Sequence, residues 1–98
     1  MEPLIDVRLQ CDYGLGWPVW IDDGVFDVRS KAPFSDALKR EIDAWAMHFQ
    51  SNFAHESGWR TPDGAARHRA VGTHLRDALQ KELGPGYRVR VALWAAPD

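Results

Sequence analysis

Residues 87–95 constrain the fold most strongly, because their side chains alternate between two kinds. One set is apolar and consists of Tyr87, Val89, Val91, Leu93 and Ala95. The other set consists of Arg88, Arg90, Ala92 and Trp94. Successive side chains of a strand point to opposite faces of a sheet. The pattern therefore predicts a last strand with one face on a core and one face free.

The beginning of the chain shows the same alternation over residues 4–12. The inward set would be Ile5, Val7, Leu9 and Cys11, and the outward set Leu4, Asp6, Arg8, Gln10 and Asp12. Alternation over this many positions is typical of a strand with one face in water. We expect a first strand here, followed by a glycine-rich loop at residues 13–18.

Residues 19–28 predict a hairpin, because Asp23-Gly24 suits the two central positions of a type I′ turn. This register places four apolar side chains on one face, namely Val19, Ile21, Phe26 and Val28. The other face would carry Trp20, Asp22, Val25 and Asp27.

Two amphipathic helices follow. Ser35 is a suitable N-cap for the first, whose apolar residues Leu38, Ile42, Trp45, Phe49 and Phe53 have helical spacing. Thr61-Pro62-Asp63 has the chemistry of a second helix start, and Val71, Leu75, Leu79 and Leu83 form its apolar stripe. Gly72 inside this helix suggests a close approach to another element, and Gly84 marks the helix end.

The predicted fold is a single α+β domain over residues 1–98. Its order is β-β-β-α-α-β, arranged as a two-layer sandwich. Counting chain directions gives a four-stranded antiparallel sheet of order 3-2-1-4, with both helices on one face. In the alternative order the last strand lies outside the third.

The uncovered face of that sheet would mix charges with tryptophan. Arg88 and Arg90 would pair across to Asp6 and Asp12, as on an ordinary solvated face. Two further residues of this face, Trp20 and Trp94, give it the composition of a protein interface. The chain has five tryptophans, more than a core of this size absorbs, so partly exposed ones are expected.

The histidines and the single cysteine do not form a recognisable catalytic or metal motif. His48 and His55 are seven residues apart, and His68 and His74 do not share a helix face. We expect His68 at a helix edge, as a contact rather than a base. Cys11 falls in the inward set and is predicted to be a buried, inert thiol. The sequence predicts no metal and no cofactor.

Composition limits the cellular compartment and the kinds of partner that are expected. One cysteine allows no intramolecular disulfide, which favours a reducing compartment. The N-terminus lacks the features of a signal peptide, and there is no apolar run of membrane-spanning length. The net charge of −2 does not favour nucleic acid or a membrane as partner. A cytoplasmic protein is expected.

Several short motifs carry a resemblance that covers most of the chain. They are Leu9-Gln10-Cys11-Asp12-Tyr13-Gly14, Pro18-Val19-Trp20, Trp45, Ser57-Gly58-Trp59 before Thr61-Pro62, Gly72-x-x-Leu75-x-x-x-Leu79, and Leu83-Gly84-Pro85. In these motifs the chain resembles a group of short uncharacterised bacterial proteins. By analogy of size and style, such small cytosolic proteins are often immunity proteins or antitoxins of bacterial competition systems.

The first hypothesis is therefore a non-enzymatic immunity protein that masks the active site of a toxin domain. Its predicted contact residues are Trp17, Trp20, Asp22, Asp27, Trp59, Arg88, Arg90 and Trp94. A second hypothesis is a nucleic-acid binder that stacks bases on the open sheet, although aspartates on that face would repel phosphate. A third is a small enzyme or ligand carrier with a pocket near Asp12, Tyr13 and Trp17. The oligomeric state stays open.

Overall fold

The computed structural model describes residues 4–12, 17–21, 34–54 and 56–96. Two helices and five strands lie in this part of the chain. In order they are β1 (Ile5–Leu9), β2 (Val19–Ile21), α1 (Asp36–Asn52), β3 (Phe53–Ala54), β4 (Gly58–Trp59), α2 (Gly64–Leu83) and β5 (Tyr87–Val91). The α+β class predicted from the sequence is confirmed.

Within the described residues, the main sheet has three strands in the order β2-β1-β5. β1 pairs antiparallel with β2 and parallel with β5. The sequence correctly places the last strand beside the first. However, the predicted four-stranded antiparallel sheet is wrong, since the sheet is mixed and three-stranded. The predicted Asp23-Gly24 turn and the strand after it lie outside the described residues.

The direction of β5 follows from the path of the helices. Ser35, before α1, hydrogen-bonds Glu82 in the last turn of α2, while Phe49 near the end of α1 contacts His68. The two helices are therefore antiparallel. α2 turns at Gly84 into β5, so β5 runs in the same direction as α1. The alternation of side chains assigns residues to the two faces of a sheet but does not give the direction of a strand. If the number of chain reversals is counted wrongly, the direction of every later element is reversed as well.

The core joins one face of the sheet to both helices. The sheet contributes four fully buried side chains, Val7, Leu9, Val19 and Val89. The helices contribute Leu38, Ile42, Trp45, Phe49, Leu75 and Leu79 to the same cluster. This arrangement agrees with the predicted alternation at Val7, Leu9, Cys11 and Val89, whereas Ile5, predicted to face inward, is 39% exposed.

The helix ends follow the local sequence closely. Ser35 Oγ accepts a hydrogen bond from the Leu38 amide at 3.2 Å, as expected of an N-cap. α2 begins at Gly64, later than the predicted start at Thr61, and its cap residue Asp63 makes no side-chain cap. Gly84 follows the last turn of α2 with φ of +89°, the left-handed region that favours glycine.

Gly72 lets α2 approach its neighbours closely. A Cβ atom at this position would lie 3.0 Å from Trp45 Cζ2 and 3.2 Å from Leu93 Cδ2. The close approach predicted from a mid-helix glycine is confirmed. It brings α2 against both α1 and the segment that follows β5.

Phe53, which the sequence pattern assigns to the first helix, instead lies in a short hairpin formed by Phe53–Ala54 and Gly58–Trp59. Phe53 pairs with Trp59 and Ala54 with Gly58. Phe53 and Trp59 belong to an aromatic cluster in which ring centroids lie 5.1–6.3 Å apart. Its other members are Phe49 and Trp94. The hairpin thus extends the core beyond the end of α1. No helix in the described part of the chain is long and apolar enough to cross a bilayer.

Candidate functional site

The side of the sheet opposite the helices carries the candidate site. We define the open face as five residues that alternate with the core positions: Asp6, Arg8, Trp20, Arg88 and Arg90. The strand register places Arg8 directly between Trp20 on β2 and Arg90 on β5. It places Asp6 directly beside Arg88. The open face therefore joins one tryptophan to three arginines and one aspartate.

Arg88 and Asp6 form a two-point ion pair. Arg88 Nε donates to Asp6 Oδ1 at 2.6 Å, and Nη2 donates to Oδ2 at 3.0 Å. This pairing confirms one of the two cross-strand pairs that the sequence predicts. Because the arginine is exposed, the pair adds only about 0–1 kcal/mol to stability.

The second predicted pair, between Arg90 and Asp12, is wrong. β5 runs parallel to β1, so Arg90 lies opposite Arg8 instead. Like charges directly opposite each other on neighbouring strands are unfavourable. Among the described residues, neither Arg8 nor Arg90 has an acidic partner.

Trp20 is held firmly on this face. Its indole Nε1 donates to the Gln10 carbonyl at 3.2 Å, and its ring is half-buried. The guanidinium carbon of Arg8 lies 5.8 Å from the ring centroid, within cation–π range. Arg8 Nε is buried and has no hydrogen-bond partner among the described residues. One side of the tryptophan is thus committed to the sheet.

The other predicted contact residues lie elsewhere. Trp94 follows the end of β5, and its ring contacts Phe49 and Phe53, so its predicted position on the open face is wrong. It is 42% exposed, and its Nε1 donates to the Cys11 carbonyl at 2.6 Å. Trp59 is half-buried in the same cluster, with its Nε1 bonded to a backbone carbonyl. Their indole N–H groups are therefore used within the fold.

Trp17 stacks on Phe34, with ring centroids 6.1 Å apart and an interplanar angle of 10°. Asp22 and Asp27 lie outside the described residues. Of the eight contact residues that the sequence predicts, the structure brings together Trp20, Arg88 and Arg90.

The outer edge of β5 is covered by side chains of α2. Gln80 Nε2 donates to the Tyr87 carbonyl at 2.7 Å, and Gln80 Oε1 accepts from the Val89 amide at 2.9 Å. Arg76 Nε donates to the Val89 carbonyl at 2.9 Å. These bonds replace those of a neighbouring strand, so this edge is closed to strand addition. Sequence reasoning missed both residues, although their spacing of four places them on one helix face.

A cavity of about 210 Å³ lies between α1 and α2, on the other side of the molecule from the open face. Its lining consists of Glu41, Ala44, Trp45, His48, Arg67, Val71, His74 and Leu75. Burial lowers the pKa of His48, and the nearby Arg67 lowers it further. His74 Nε2 lies 3.8 Å from Glu41 Oε1.

His68 is only 1% exposed, so its predicted place at a helix edge is wrong. Its ring stacks on Trp45 with centroids 4.8 Å apart. Burial, with a smaller contribution from His48, lowers the pKa of His68 to about 4. Its Nδ1 is buried without a hydrogen-bond partner in the described part of the chain. A neutral, sequestered imidazole of this kind serves packing.

Cys11 is 3% exposed, and burial raises the pKa of its thiol to about 12. The predicted burial of this residue is confirmed, and a thiol with that pKa is a poor nucleophile. Within the described ranges, no three His, Cys, Asp or Glu side chains are grouped to hold a metal ion.

A comparison with protein families adds a second line of evidence. The family model described as "Serratia CdiI immunity protein-like" matches residues 5–92. The comparison with curated proteins found no similar sequence. Proteins of this family are cytoplasmic and typically non-enzymatic, and they bind cognate CdiA toxin domains. Because the match covers nearly the whole chain, this protein belongs to the Serratia CdiI immunity protein-like family and is an immunity protein that neutralises a CDI toxin.

Proposed function

We propose that the protein neutralises its cognate CdiA toxin domain by masking the toxin's active site with the open face, anchored by Trp20. The observation that carries this proposal is the setting of Trp20. It is a large aromatic residue fixed between the Gln10 carbonyl and Arg8, on the side of the sheet away from the core. A rigid, partly exposed tryptophan beside arginine is the typical composition of an interface hot spot.

The closed edge of β5 supports binding through the face of the sheet. Gln80 and Arg76 already occupy the backbone groups that an added strand would need. A partner that approaches β5 therefore meets side chains of the open face, Arg88 and Arg90, before it meets free backbone. Recognition by side chains suits an inhibitor that must match one toxin, because side chains carry more partner information than backbone does.

The remaining predicted contacts have different places in this proposal. Trp94 lies off the open face but is partly exposed, so we propose it as a rim contact, whereas Trp17 and Trp59 pack mainly against the core. We also propose Asp22 and Asp27 as rim contacts, since the sequence pattern assigns them to the same face as Trp20. Rim residues usually contribute less to affinity than a buried anchor does.

Titration of the cognate toxin domain with Trp20→Ala tests the proposal. We expect the loss of a true anchor to weaken binding by about 2 kcal/mol or more, roughly 30-fold. The matched control is Met47→Ala, which removes a side chain that is 65% exposed on the helical layer. Calorimetry and a growth-protection assay with the toxin should agree. Wild-type affinity and full protection with Trp20→Ala, in a folded variant, would refute masking by this face.

A further inference from the structure

We propose that the open face recognises an acidic segment of the toxin domain, whose carboxylates lie between Arg8 and Arg90. This inference rests on the proposed function and specifies the chemistry of the partner. It also adds Arg8, which the sequence does not single out, to the binding residues.

The register of the sheet supports this inference. Arg8 and Arg90 are directly opposite each other on β1 and β5, and neighbouring strands lie about 4.8 Å apart. Their side chains therefore start from adjacent points on one face and carry the same charge. Repulsion between them is unfavourable in the free protein. A carboxylate placed between them converts that repulsion into two charge-assisted hydrogen-bonded pairs.

The two arginines that β5 places on the open face differ in their partners. Arg88 and Arg90 flank Val89 on β5 and therefore face the same side of the sheet. Arg88 has an internal partner, because its Nε and Nη2 both donate to Asp6. The fold thus provides a carboxylate for one arginine of this face. It provides none, among the described residues, for Arg8 or Arg90. Within the described ranges, these two guanidinium groups are the ones of the open face that could accept an external acid as partner.

Arg8 is already held in place by Trp20 in the free protein. Its guanidinium packs by Trp20, and its buried Nε lacks a hydrogen-bond partner among the described residues. A donor fixed before binding loses little side-chain entropy when a carboxylate arrives. The same contact links the apolar anchor to the charged pair, so one acidic segment with an adjoining apolar side chain would engage both.

Charge also favours a protein carboxylate over the phosphates of nucleic acid. The whole chain carries a formal net charge of −2 with a pI of about 6.0. A long polyanion would be repelled by that net charge beyond the open face. A local acidic segment on a folded toxin domain needs only the small positive area around Arg8 and Arg90.

The experiment compares neutral and reversed charges at these positions. We expect Arg8→Gln and Arg90→Gln each to weaken binding of the toxin domain by about tenfold, and Arg90→Glu by about 100-fold. Arg40→Gln is the matched control, because it makes the same charge change on an exposed residue of α1. Wild-type affinity should fall as salt is raised, and the fall should be smaller for Arg90→Gln.

The melting temperature distinguishes a role in binding from a role in stabilising the fold, because loss of a stabilising contact would lower it. Because Arg8 and Arg90 repel each other, Arg90→Gln should melt at the same temperature as wild type or slightly higher, while binding less tightly. A lower melting temperature together with unchanged affinity would overturn the inference.

Two further outcomes separate this inference from the proposed function. If Trp20→Ala binds normally, masking by the open face itself fails. If Trp20→Ala weakens binding but Arg90→Gln and Arg90→Glu do not, only the acidic partner is refuted. Titration with a single-stranded oligonucleotide is the last arm. Tight, steeply salt-dependent binding that Arg90→Gln abolishes would assign the pair to phosphate instead.

Discussion

The buried imidazole of His68 should make the stability of this protein fall on mild acidification. The pKa of His68 is lowered from 6.5 to about 4 in the folded state. Between these values the unfolded chain binds a proton that the folded chain does not. Unfolding is therefore favoured as pH falls from about 6.5, and the effect levels off below the folded pKa of about 4. From about one pH unit above the unfolded pKa, the residue is neutral in both states and contributes no further pH dependence.

The size of the effect follows from the pKa difference. Each unit of pKa is about 1.4 kcal/mol, so the full loss at low pH is about 3 kcal/mol. Near pH 5, where most carboxylates remain ionised, the loss is about 2 kcal/mol. For a chain of this length that corresponds to a fall in melting temperature of roughly 10 °C. This is a large share of a typical small domain's stability.

Thermal and urea unfolding at about pH 7 and pH 5 measures this loss. His68→Phe keeps an aromatic ring to stack on Trp45 but cannot take a proton, so most of the pH dependence should disappear. Part of it should remain, because burial also lowers the pKa of His48. The control His74→Gln changes a largely exposed histidine and should keep the wild-type dependence. Equal pH dependence in wild type and His68→Phe would refute the reasoning.

Two further substitutions test how α2 packs. Gly72→Ala should lower the free energy of unfolding by about 1 kcal/mol, because the new methyl group crowds the Trp45 ring by more than the gain in helix propensity offsets. Its control, Gly86→Ala, meets open space and should be neutral in the same melts; a rise in stability for Gly72→Ala would contradict the close approach. Gln80→Ala should cost about 1–2 kcal/mol and, by uncovering the edge of β5, promote concentration-dependent association in sedimentation experiments. Lys81→Ala is the exposed neighbour for comparison, and a monomer of unchanged stability would argue against the edge cap.

The alternation in the sequence predicts faces but not directions. Val7, Leu9 and Val89 are buried as expected, because a period of two survives any choice of neighbour. The residue opposite Arg90 depends on the direction of β5. That direction is set by how many times the chain reverses before it reaches this strand. This is why Arg8, and not Asp12, is opposite Arg90.

The same alternation of side chains does not predict the position of Trp94. β5 ends at Val91, and the chain then turns, with the Ala96 amide bonded to the Leu93 carbonyl at 3.0 Å. Alternation continues in the sequence through Trp94 although the strand does not. Beyond the end of β5 the indole packs on Phe49 and Phe53, which the alternation does not predict.

The burial of His68 could have been predicted from the spacing of the buried positions in α2, but not from the apolar residues alone. The buried positions of α2 are Gly64, His68, Gly72, Leu75 and Leu79, at spacings of four, four, three and four. A stripe traced only through hydrophobic residues passes through Val71, which is half-buried. Glycine and histidine continue the buried line because aromatic rings of α1 and β4 occupy the space above them.

The separation of core and open face bears on how such a protein can change its partner. Stability comes from the helical side of the sheet and from the edge cap of Gln80, whereas Trp20, Arg8 and Arg90 lie on the other side. We therefore expect substitutions on the open face to leave the packed core largely intact, and loss of the Arg8–Arg90 repulsion to favour the free fold slightly. An immunity protein built this way can match a different toxin surface by exchanging side chains on three strands, with little cost to folding. Under the proposed interface, a role in binding would account for two like charges lying side by side.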